Sequence, residues 1–124
     1  MKLFTLSEAN HALPLVKERL KAIQDLYSII GSYSGDARAA AQASEAGGGM
    51  AGGTEYVKAL YEVGKLTTEV HKMGVQLKDY SRGLIDFPTM REGRVVLLCW
   101  QLGEGDEIEW WHDVEAGFAG RRPL

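Results

Sequence analysis

Ahead of position 75 the apolar residues recur at helical spacing. Leu13, Val16, Leu20, Ile23, Tyr27 and Ile30 are separated by alternating steps of three and four, the seam of an antiparallel or coiled-coil-like helix pair. The spacing predicts a first helix over residues 5–33. Thr5-Leu6-Ser7-Glu8 fits a capping box at its start, with Ser7 as a second candidate N-cap. Pro14 removes a donor and crowds the preceding turn, so the expectation is a short turn to Ala12 or Leu13, a kink, and a longer helix with Pro14 in its first turn. Gly31 and Gly35 are the expected stop. A second helix is predicted over 54–74, capped by Thr54, with Leu60, Val63, Leu66 or Thr67, Val70 and Met73 as its apolar positions. Gly74 either ends it or lets another backbone approach.

Residues 34–53 break this pattern. They are rich in Ala and Gly and offer almost no large side chain to bury, so they read as a flexible connection: a weak helix over Asp36–Ala46, then a hinge at Gly47–Gly53. A phosphate-cradling loop would need a Gly-Lys-Ser/Thr ending and a preceding strand, and this segment has neither.

The period changes to two in residues 75–124. Leu84–Phe87 is a short strand candidate, followed by Pro88 and a turn at Arg91–Arg94. Val95 to Trp100 are apolar without interruption, and the run to Leu102 reads as a central strand covered on both faces. Gly103–Asp106 is a turn and Glu107–Asp113 a third strand. Gly117–Leu124 is expected to be irregular and to pack back through Phe118. The fold class is therefore α+β: one domain with a long antiparallel helix hairpin packed on a small antiparallel sheet of about three strands.

Composition narrows the function classes. The chain has 124 residues and a net charge of −3, which argues against whole-surface attraction to nucleic acid or anionic lipid. Lys78, Arg82, Arg91, Arg94, Arg121 and Arg122 would give a local basic edge, but Glu104, Asp106, Glu107, Glu109, Asp113 and Glu115 interleave with them, so nucleic acid is not the expected partner. One cysteine, Cys99, excludes an intrachain disulfide and a multi-cysteine zinc ribbon. No apolar run is long enough to span a bilayer, and Met-Lys-Leu-Phe-Thr does not read as a signal peptide; the expected location is cytoplasmic. On the second helix Glu55, Lys58, Glu62, Lys65, Glu69 and Lys72 alternate in sign, the mark of a solvated outer stripe.

Several phrases carry a resemblance. They are Phe4–Asn10, Gly74–Asp79, Gly83-Leu84-Ile85-Asp86-Phe87-Pro88, Leu98-Cys99-Trp100-Gln101-Leu102-Gly103-Glu104, Trp111-His112-Asp113 and Gly117–Arg121. Together they resemble the prokaryotic family catalogued as domain of unknown function 2203, over nearly the whole chain apart from the Ala/Gly-rich insert. The resemblance implies a small cytosolic bacterial or archaeal protein, and it assigns no activity and no site residues.

Candidate chemistry follows from register. A four-residue turn at 103–106 sets Cys99 beside Trp110 and Leu97 beside His112, and a two-residue turn at Glu92-Gly93 sets Asp86 beside Cys99. Leu84, Asp86, Leu97, Cys99, Gln101, Ile108, Trp110 and His112 then share one face; Ile85, Phe87, Val96, Leu98, Trp100, Glu107, Glu109 and Trp111 share the other. Asp86, Cys99 and His112 supply a carboxylate, a thiolate and an imidazole, ligand types for zinc or another transition metal. They are also the parts of a cysteine–histidine nucleophile pair. Against both, His112 lies a row away from Cys99. The structural alternative makes Cys99 a small core residue, His112 a strand cap, and Asp86 the partner of Arg82, Arg121 or Arg122. His11, in the N-terminal turn near Pro14, is not an expected ligand, and His71 has no His or Glu partner at helical spacing. One helix hairpin covers one face of a sheet, so either the C-terminal segment or a second subunit must cover the other. The expected role is a non-catalytic binding or assembly module acting as a homodimer. The rival is a metal- or small-ligand-binding enzyme with its site at Asp86, Cys99 and His112.

Overall fold

The computed structural model describes residues 1–43 and 53–124. Helix α1 (Leu6–Ala43) opens on the expected capping box: the Thr5 amide donates to Glu8 Oε1 at 2.9 Å and the Glu8 amide to Thr5 Oγ1 at 3.0 Å. These bonds from Thr5, backbone first, hold the Glu8 carboxyl below its usual pKa. Ala9, Leu13, Val16, Leu20 and Ile23 are the buried face. The expected break near Pro14 is absent. Pro14 sits inside one unbroken helix on its exposed side, where water can reach the carbonyl that proline leaves unpaired. Nor do Gly31 and Gly35 stop the helix at 33. Each costs about 1 kcal/mol against alanine, and Asp36–Ala43 beyond them is rich in good helix formers. The glycine hinge, except for Gly53, lies outside the described residues.

Helix α2 (Gly53–Lys72) packs antiparallel on α1 to complete the hairpin. The face it buries is centred on Ala59 and Val70, with Leu66 and Met73 partly buried against the core. Leu60, expected in that face, is 45% exposed. Spacing by threes and fours fits either Leu60 or Ala59 as the first position, and the smaller side chain takes the place against α1. Gly74 ends the turn after the helix with φ of 88°, and a Cβ there would meet the Lys2 side chain at 2.9 Å. The close approach is with the N-terminal segment, whose Phe4 amide donates to the Pro88 carbonyl at 2.7 Å.

The sheet has five strands, not three, in the sequential antiparallel order β1 (Gln76–Asp79), β2 (Leu84–Arg91), β3 (Arg94–Gln101), β4 (Trp110–Asp113), β5 (Arg122–Pro123). The two additions are the edges. β1 is four residues long with a register shift between Leu77 and Asp79, and β5 is two residues, so neither leaves a period-two signature. β2 runs on through Pro88, which pairs with Leu97. β1 is paired only as far as Asp86, and the Pro88 carbonyl faces that side toward Phe4. The missing N–H therefore points where no strand needs it. The central registers are those expected: Asp86 opposite Cys99, Cys99 opposite Trp110, Leu97 opposite His112. Glu92 and Gly93 both have positive φ, 51° and 80°, as a tight hairpin turn demands. Residues 107–109 do not join the third expected strand. Ile108 instead donates its amide to Asn10 Oδ1 at 2.7 Å, and Trp100 Nε1 pins the loop through the Gly105 carbonyl at 2.8 Å.

Alternation assigns the two faces. Ile85, Phe87, Val96, Leu98, Trp100 and Trp111 join the buried face of α1, together with Phe4, Val70, Val75 and Ile108, in one core. Leu84, Asp86, Leu97, Cys99 and His112 point the other way and are buried as well. Their cover is the C-terminal segment, where the Arg121 guanidinium lies 4.3 Å from the Phe118 ring and 4.8 Å from that of Trp110. No helix among the described residues is long and apolar enough to cross a membrane.

Candidate metal centre

Three adjacent strands each bring one candidate ligand to this second face. Asp86 on β2 and Cys99 on β3 are directly paired, and His112 on β4 is one row off, opposite Leu97. The long imidazole crosses that row: the ligand atoms of Asp86, Cys99 and His112 all lie within 4.8 Å of one another. They are deeply buried, at 2%, 0% and 2% exposure. No other group of three such residues gathers among the described residues. His11 and His71 are exposed on the helices, away from the group.

The hydrogen bonds restrict the proton positions. His112 Nδ1 lies 2.8 Å from the Asp113 carbonyl, which can only accept, so Nδ1 carries a proton. His112 Nε2 then faces Asp86 Oδ1 at 3.1 Å. That contact needs a proton, carried by the ring or by the carboxyl, or a cation between nitrogen and oxygen. A backbone carbonyl that accepts from Nδ1–H, fixing the tautomer and leaving Nε2 presented inward, is the usual way a metal-binding histidine is oriented. Burial pushes the Cys99 thiol up to about 12, with the neighbouring Asp86 charge adding to the shift and Arg121 opposing it. A free thiol here stays protonated at neutral pH; a cation at the centre would reverse that preference.

A pocket of about 160 Å³ opens onto the three side chains, walled by Leu84, Leu97, Val114 and Phe118, with Lys78 of β1 at its rim. The basic partners expected for Asp86 are engaged elsewhere. Arg82 bonds Gln101 Oε1 at 2.9 Å, Arg121 bonds Glu104 Oε1 at 3.0 Å, and Arg122 lies 4.0 Å from Asp113. Arg121 Nη1 also reaches Cys99 Sγ at 3.9 Å. Sequence reasoning missed Lys78 as a neighbour of the group and offered Arg121 as a partner of Asp86, not of Cys99. Lys78 is on the unrecognised edge strand, and Arg121 is brought over the sheet by the irregular segment that begins at Gly117.

The family model described as "Uncharacterized conserved protein (DUF2203)" matches residues 2–124. The chain belongs to the DUF2203 family. No curated protein and no solved structure matches it. The phrases that resembled DUF2203 supply all three members of the group: Asp86 before Phe87-Pro88, Cys99 before Trp100, and His112 between Trp111 and Asp113.

Proposed function

We propose that this DUF2203 chain is a binding module for a single divalent transition-metal ion, held by an Asp86 carboxylate oxygen, Cys99 Sγ and His112 Nε2. The observation that carries the reading is the convergence of three chemically different ligand atoms within 4.8 Å at the floor of a pocket. Mixed N, O and S donors suit zinc and its borderline neighbours better than magnesium or calcium. A thiolate ligand also agrees with a reducing, cytoplasmic location. A cysteine nucleophile is the weaker reading, because the thiol is pushed up to about 12 and the imidazole is turned to Asp86 and Asp113. The test is elemental analysis of protein purified without an affinity tag. About one metal ion per chain is expected, lost in His112→Ala while the circular dichroism spectrum is retained. Wild type that retains no metal and binds neither zinc, cobalt nor iron(II) on titration would sink the reading.

A second reading, a homodimer, rests on α2. Val57, Leu60 and Tyr61 are 63%, 45% and 70% exposed. The charges on this helix are self-complementary about a point between Val63 and Gly64: an antiparallel second copy would set Glu55 against Lys72, Lys58 against Glu69, and Glu62 against Lys65. Glu69 already bonds Arg19 at 3.1 Å, so that pair would be shared. Gly64 has open space above its Cα, which lets a second backbone approach. Sedimentation at micromolar concentration should give a dimer that Tyr61→Glu converts to monomer; a monomeric wild type would remove it.

A further inference from the structure

Resting on the metal reading above, we infer that the fourth position of the metal takes a small monoanion of the carboxylate class, with Lys78 as its counter-charge. Three protein ligands leave a tetrahedral ion one position short, the arrangement of zinc sites that bind an exogenous group. Asp86, Cys99 and His112 all approach from the sheet, so the vacant direction is away from it, into the pocket. The pocket is small, about 160 Å³, and open at its mouth, so a carboxylate with a short stem fits inside it while a larger ligand would extend past Lys78 into solvent.

Charge decides the ligand class. A thiolate and a carboxylate together neutralise a divalent ion, so the metal alone offers an anion no net attraction. The compensating charge must come from the pocket wall. Arg121 is committed to Glu104 at 3.0 Å. Lys78 lines the rim, is exposed, and makes no ion pair among the described residues. One uncommitted ammonium matches one negative charge. Leu84, Leu97, Val114 and Phe118 complete the wall, and such an apolar lining disfavours a strongly hydrated dianion.

Cobalt(II) is the probe, since its visible bands report coordination. Acetate added to the cobalt-loaded chain should shift and saturate those bands in the millimolar range, while sulfate should leave them unmoved. Lys78→Met should bind cobalt as wild type does and weaken acetate by about two- to fivefold, the loss of one exposed charge contact. Cobalt bands that ignore acetate, or acetate binding that is equal in Lys78→Met, would overturn this inference and leave the metal reading standing. A chain that binds no cobalt would overturn this inference, and one that binds neither zinc nor iron(II) as well would overturn the metal reading with it.

Discussion

Replacing Cys99 with alanine separates a thiol that ligates from one that packs. Cys99 is fully buried, but the side chain faces the pocket beside Asp86 and His112. Truncation therefore enlarges a space already open to solvent and does not create a sealed void. In chelator-treated protein the expected cost is that of a small core truncation, about 1 kcal/mol. For a chain of this length that lowers the melting temperature by roughly 3–6 °C. Zinc changes the comparison. Free ion at a hundred times its dissociation constant would stabilise wild type by about 2.7 kcal/mol. A variant with two ligands left would lose most of that gain. The gap between wild type and Cys99→Ala should then widen to about 3–4 kcal/mol, or roughly 10–20 °C. Differential scanning calorimetry with excess zinc and again with chelator is the assay. An identical gap in the two conditions, with wild type unmoved by zinc, would refute the ligand role and leave Cys99 a packed core residue.

Further expectations concern the frame of the site. In metal-free native protein the thiol, pushed up to about 12, is about one part in ten thousand thiolate at pH 8, so iodoacetamide should modify Cys99 very slowly until urea unfolds the chain. Thr5→Ala should cost about 1 kcal/mol in urea unfolding by removing the bond that Thr5 Oγ1 accepts from the Glu8 amide. The Glu8 carboxyl is depressed in the folded state, so its contribution is present above its ordinary value of 4.5 and is lost as pH falls through the folded pKa; the difference between wild type and Glu8→Gln should shrink accordingly in acid. Gly83→Ala combines a φ of 60° with a Cβ only 2.5 Å from Leu102 Cδ1, and should lose about 2–4 kcal/mol; a loss below about 1 kcal/mol would mean that the Leu102 side chain moves aside freely.

The local devices of this fold are legible in the residues themselves. The Thr5–Glu8 box, the 3-4 seam from Leu13 to Ile23, the tight turn at Glu92-Gly93 and the register that sets Asp86 beside Cys99 are written within a few residues of where they act. Alternation then sorts every side chain of β2 and β3 onto a face, because a strand has period two and the turn sets its phase. What local pattern could not supply were outcomes of competition at a distance. Pro14 stays inside a helix because its side of α1 meets solvent, and Ala59 displaces Leu60 because α1 lies close against α2. The edge strands β1 and β5 exist because β2 and β4 offer them hydrogen-bonding edges, not because four or two residues favour extension alone. The candidate site divides in the same way. Sequence placed Asp86, Cys99 and His112 on one face, while only packing made the imidazole reach across a row, turned its Nδ1 to the Asp113 carbonyl, and enclosed the group beneath Phe118 and Arg121. Side-chain convergence depends on rotamers and on cover from remote segments, and neither has a period that a sequence can display.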